Sequence, residues 1–161
     1  MPCKDANARE GPQLGFPGRG RYPMADRVRK VNYCYAKVST RAGQGAAMLS
    51  KLRDARVNLL AFSGFPVGGG KAQLDFVSDD IAGVRRVARK EGWRLSKTKK
   101  GFLVQGIAEL GACHRQLKKL ADKRINVTAV DAVAAGRKRY GMILWVKPKD
   151  YARASRVLRA K

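Results

Sequence analysis

The chain has 161 residues, 45% of them apolar, enough for a buried core, and a formal net charge of +23 at pH 7. No run of about 18 apolar residues occurs, which excludes a membrane-spanning helix, and no continuous apolar stretch marks a secretory signal. Cys3, Cys34 and Cys113 form neither a disulfide framework nor a CxxC metal site. His114, the single histidine, cannot anchor a histidine-rich site, so the expectation is a cytoplasmic protein without metal or cofactor.

Residues 1–26 are rich in Gly, Pro, Arg and Asn without periodicity, which predicts a disordered extension, with Met24 an alternative start. Val31 to Val38 is aromatic and β-branched and reads as a strand. Gly43 then opens a helix whose apolar stripe is Met48, Leu49, Leu52 and Ala55. Val57 to Phe62 reads as a second strand, joined across Gly68-Gly69-Gly70 to a third over Ala72 to Val77. Ser78 is the expected cap of a helix with stripe Ile81, Val84, Val87 and Ala88, which Gly92 ends. Trp93 to Ser96 is the expected short closing strand.

The order then recurs. Phe102 to Gln105 reads as a strand, Gly111 opens a helix with stripe Cys113, Leu117, Leu120 and Ala121, and Ile125 to Val133 pairs with Tyr140 to Val146. Pro148 suits the first turn of a last helix, and the chain stops before a final strand. A spacing of 68 underlies the recurrence: Gly111 falls on Gly43, Leu120 on Leu52, Asp122 on Asp54, Arg124 on Arg56, Asn126 on Asn58. Two copies are too few for a solenoid and read as a duplicated small domain. The expected fold is α+β: two ferredoxin-like βαββαβ repeats over 27–98 and 99–161, mainly antiparallel, with helices on one face.

Each copy places a glycine after its first strand, then a leucine-rich helix ending in Leu-x-Asp-x-Arg-[Val/Ile]-Asn that enters the next strand. This arrangement resembles the ACT domain, a small-molecule-sensing module of amino-acid metabolism, over about residues 31–161. The resemblance implies a non-catalytic regulatory protein that binds an amino-acid-like ligand where two copies pack together, as a homodimer. Carried onto this chain, the ligand residues are Arg41, Ala42, Gly43, Gln44, Gly45, Asn58 and Leu59 in the first copy. In the second they are Leu110, Gly111, Ala112, Asn126 and Val127. Exposed N–H groups at a helix N-terminus attract a carboxylate, glycine admits a ligand to the backbone, and an asparagine amide both donates and accepts.

Other chemistries fail on spacing. Gly68-Gly69-Gly70-Lys71 lacks the first glycine and the Ser/Thr of a phosphate loop and sits in a hairpin. Cys113 and His114 are adjacent on a helix and do not face each other as a nucleophile and base should. No catalytic constellation is found. Nucleic acid is the alternative partner, since RNA-recognition modules share the element order, but their Arg/Lys-Gly-aromatic signature is absent from the third strand. The cations of the predicted helices read as solvated outer faces, and Tyr33 and Tyr35 as packed on a partner sheet or subunit.

Overall fold

The computed structural model describes residues 26–161. Of the expected N-terminal extension only Asp26 falls within them. Six strands and four helices follow in the order β1 (Arg27–Ser39), α1 (Gln44–Asp54), β2 (Ala61–Gly68), β3 (Lys71–Val77), α2 (Ile81–Glu91), β4 (Lys99–Ile107), α3 (Ala112–Ala121), β5 (Val127–Ala134), β6 (Arg139–Val146) and α4 (Tyr151–Leu158). The strands make one antiparallel sheet in the order β2-β3-β1-β4-β6-β5.

Register explains the two faces. On β1, alternate residues Val28, Cys34 and Ala36 are buried toward the helices, with Leu74 and Phe76 beside them on β3 and Phe102 and Val104 on β4. Met48 and Leu52 of α1 and Val84 of α2 complete one core; Leu120 of α3 and Ala154 and Leu158 of α4 complete another. The opposite face carries a third cluster of Val31, Tyr33, Val77, Leu103, Ile143 and Trp145. The outer strands β2 and β5 end the sheet yet meet over this face, where Ser63 Oγ donates to Asp131 Oδ2 at 2.6 Å. Tyr33 therefore packs within its own chain, edge-on to Trp145 at 5.8 Å, rather than against a partner subunit.

β1 and β4 meet at the centre. Asn32 stands opposite Lys100, the residue 68 positions on, and Val31 opposite Gly101. Above Tyr33 the same edge of β1 takes only Leu95 and Ser96, so the expected closing strand reduces to an isolated bridge between Ala36 and Leu95, with Ser96 N–H donating to Tyr35 O at 2.8 Å. Lys161 in turn exchanges both backbone hydrogen bonds with Val28 and Lys30.

Two further expectations are corrected. The second strand begins at Ala61 because Val57 is drawn into the helix-side core, and it runs past Pro66, which an edge strand with a register shift tolerates. Asp80, not Ser78, caps α2: its Oδ1 accepts from Gly83 N–H at 2.7 Å, while Ser78 Oγ donates to Asn58 O at 2.7 Å. Pro148 opens a short 3-10 turn, Pro148–Asp150, that leads into α4.

Gly68, Gly69 and Gly70 all have positive φ, as their hairpin requires. Five non-glycine residues among those described also do: Arg56, Arg124, Arg137, Lys138 and Arg159, and all are cationic. Each left-handed side chain costs about 1–2 kcal/mol. At the ends of α1, α3 and α4 the negative end of the helix dipole partly compensates an arginine.

Candidate ligand site

The loops after β1 and β4 share one construction. Gly43 and Gly111 are the N-caps of α1 and α3, both left-handed, at φ 87° and 78°. Neither helix has a capping side chain or an acid in its first turn. The first N–H of each is taken by its own loop, Gln44 by Arg41 O at 3.4 Å and Ala112 by Glu109 O at 3.0 Å, which leaves those of Gly45 and Ala46, and of Cys113 and His114, to an outside acceptor. Arg41, Ala42, Gly43 and Gln44 are exposed in the first loop and Gly45 is half-buried beneath Phe62. In the second, Leu110 is fully exposed and Ala112 buried.

The second loop borders a cavity of about 410 Å³ that it shares with Ala132, Val133 and Tyr140. Tyr140 is 5% exposed, and its hydroxyl lies fully buried beside the Asp26 carboxylate. Burial, then the nearby Asp26 carboxylate, holds that phenol far above the ordinary tyrosine range. Asp26 is engaged by Gln116 Nε2 at 2.6 Å and by the Arg115 guanidinium at 3.3 Å, and Arg115 also binds Glu109 at 2.6 Å. These contacts fix the first turn of α3 beneath the cavity. No sequence signal pointed to Tyr140; its counterpart 68 residues earlier is Ala72.

The remaining predicted residues lie elsewhere. Asn58 and Leu59 line a shallow groove with Arg53 and Arg56 at the far end of α1. An 11-residue helix, roughly 16 Å at 1.5 Å per residue, separates them from Gly43. Asn126 and Val127 likewise follow the C-terminal end of α3, away from Gly111. One chain thus brings Arg41 to Gly45 together, and Leu110 to Ala112 together, but not the asparagines with either loop.

Between the outer strands lies a cleft of about 510 Å³, walled by Leu60 to Phe65 on one side and Asp131 to Val133 on the other. Nearby Asp75, 4% exposed, accepts from Gln73 Nε2 at 2.9 Å. Burial pushes its carboxyl upward; Gln73 and the Lys99 ammonium pull it back, and Asp131 pushes it up again. A raised folded value means the protonated form is the stabilised one. That contribution is present in acid and is lost as pH rises through the folded value. Asp75→Asn keeps the acceptor for Gln73 and removes the buried charge. Its urea midpoint should exceed that of the parent at pH 7, with the gain vanishing below about pH 4, where an unfolded aspartate is also protonated. Equal midpoints at pH 7 would show that Lys99 fully compensates burial.

Among the described residues no cluster of His, Cys, Asp and Glu could hold a metal, and no helix is long and apolar enough to cross a membrane. No protein-family model matches the chain, and no curated protein does. Solved structures do. The chain is similar to protein BT0572 from Bacteroides thetaiotaomicron at 13% identity, covering 83% of this chain and 88% of that one, with a TM-score of 0.69. It is similar to the ligand-free regulatory subunit of aspartate kinase from Thermus thermophilus at 12% identity, covering 84% and 93%, with a TM-score of 0.59. Aspartokinase alpha and beta subunits follow at 13% identity, 84% and 95% coverage and a TM-score of 0.58. The fold of this chain is that of aspartate kinase regulatory domains, an ACT-like α+β fold.

Proposed function

We propose that the chain is a non-catalytic regulatory protein of two tandem ACT-like repeats, 27–98 and 99–161, that senses an amino-acid-like ligand at its glycine loops. The observation that carries this reading is the start of α3 behind a left-handed Gly111, with no capping side chain and the Cys113 and His114 N–H groups without a backbone acceptor, beside a cavity that Tyr140 helps to line. The ligand carboxylate takes the open N–H groups of the first turn. The similarity to aspartate kinase regulatory structures supports the regulatory role. Pairing of residues 68 apart across β1 and β4 supports the duplication.

The asparagines enter only if a second copy brings them, which makes the functional species a homodimer. Its interface is the pair of outer strands, which carry no lysine or arginine in a chain of charge +23. They expose apolar residues at positions 68 apart, Phe62 with Val130 and Phe65 with Val133. Self-repulsion is least there, and open edges invite pairing.

Thermal shift against the amino acids tests the reading, with light scattering on the same samples. A ligand at 100 times its Kd should stabilise the protein by about 2.7 kcal/mol. Gly111→Val should abolish the shift, Gly43→Val should reduce it, and Asn58→Ala should reduce it in a dimer. A monomer at micromolar concentration that still binds would remove the asparagines from the site. Absence of any shift would sink the sensor reading.

A further inference from the structure

A groove of about 640 Å³ lies where the start of β4, the end of β6 and the start of α4 meet. Lys99, Lys100 and Lys147 line it together with Tyr33, Tyr151 and Thr128, and no carboxylate does. None of the three lysines makes an ion pair among the described residues. Elsewhere carboxylates are taken up by cations, as in Arg29–Asp79, Lys51–Glu91 and Lys118–Asp122. Counting back 68 residues, Lys147 is replaced by Asp79, Lys100 by Asn32 and Thr128 by Leu60. The cationic groove is thus particular to the second half of the chain and does not follow from the shared fold.

The aromatic rings carry the second half of the argument. Tyr151 is stacked on buried Phe102, with centroids 4.7 Å apart and planes at 15°, so its ring is held as a fixed platform. Its other neighbour is an ammonium: Lys100 Nζ lies 5.5 Å from the ring centroid. Lys99 Nζ likewise stands 5.9 Å from Tyr33 and 5.2 Å from Tyr35. Two flexible cations therefore cover rings that a flat ligand could use. Drawing an ammonium away to an anion uncovers the ring beneath it, so the two kinds of contact form together.

From this juxtaposition we infer that the groove binds a nucleotide. Lys99, Lys100 and Lys147 gather its phosphates, the Thr128 hydroxyl donates to a phosphate or sugar oxygen, and its base lies on Tyr151. A bare phosphate would leave most of the volume and both tyrosines unused. An apolar ligand would leave the Lys100 and Lys147 ammonium groups unused. The size falls within the range of small-molecule sites. The site is separate from the Gly111 loop, so failure of either assignment leaves the other standing.

Calorimetry on the full chain at 150 mM salt decides it, with ATP, tripolyphosphate, adenosine and a short single-stranded oligonucleotide as probes. ATP should bind at one site per chain and more tightly than either tripolyphosphate or adenosine. Lys100→Ala combined with Lys147→Ala, both at exposed positions, should weaken ATP about tenfold or more. Lys90→Ala combined with Lys149→Ala removes the same charge outside the groove and should leave ATP affinity unchanged. Equal losses in the two double variants would reduce the binding to diffuse attraction to a basic surface and overturn the inference. Tripolyphosphate binding as tightly as ATP would overturn the ring platform. Tighter binding of the oligonucleotide than of ATP would assign the groove to nucleic acid instead, and no heat with ATP would reject the site.

Discussion

Phe102→Ala should lower the unfolding free energy by about 3–5 kcal/mol, the usual loss for a buried phenylalanine. Phe102 has no solvent exposure and lies on the central strand β4, opposite Lys30 of β1 and Leu144 of β6, with Tyr151 stacked against it. Domains of this size are stable by about 5–15 kcal/mol, so the loss is a large fraction of the total. Urea unfolding followed by far-UV dichroism measures it. The change should appear in a single transition, because β1 and β4 tie both helix-side cores to one sheet. Two separated transitions would show the halves unfolding independently, and a loss below about 1 kcal/mol would show that the site collapses.

Alkaline stability should fall from about pH 10 upward, and Tyr33 should account for a distinct share of the fall beside Tyr140 and Tyr151, whose hydroxyls burial also raises. Burial is the first cause that raises its hydroxyl from 10.0 to about 12, followed by the charges of Asp75 and Tyr35. The sign follows from linkage. A folded value above the unfolded one means that the folded chain holds the proton longer. The contribution is complete below about pH 10 and is lost as pH rises to about 12. Two units correspond to roughly 2–3 kcal/mol, and the side chain is 8% exposed, so solvent screening takes little of it. Tyr33→Phe keeps the edge contact with Trp145 and removes the titrating group. Lysines titrate in the same window, so the readout is the difference between the two proteins. Parallel pH profiles would reject the assignment.

Element types were legible because the periodicities are strong: Leu74 and Phe76 alternate with Gln73 and Asp75, and Val84, Val87 and Ala88 recur at helical spacing. Both loop glycines were found because the 68-residue recurrence places Gly111 on Gly43 at the same point between a strand and a helix. The misplaced start of β2 has a physical origin. Val57 is buried by α1 and α2, and its apolar character read as strand although the ladder begins at Ala61. The closing strand at Trp93 was overestimated because strand propensity says nothing about whether an edge is free. β4 occupies the edge of β1 below Tyr33, and Leu95 makes only a bridge above it. The candidate site was half legible. Gly43 and Gly111 lie at open helix starts, whereas Asn58 and Asn126 were grouped with them by motif order, which carries no distance. Tyr140 and the meeting of β2 with β5 depend on the curl of the sheet, and no local pattern encodes that.

The pairing of β1 with β4 has the form of an isologous interface: Val31 faces Gly101, and Tyr33, which Gly101 matches 68 residues earlier, faces Lys99, which matches Val31. Two separate copies of the unit could make the same contact about a twofold axis, at a strength set by their concentration. Joined through residues 92–98, the halves meet at an effective concentration that no dilution lowers, in the millimolar range for a short connection. The link therefore makes the β1–β4 contact itself independent of expression level. With that contact secured, residues 68 apart can differ in charge, as Asp79 and Lys147 do, without loss of the pairing surface.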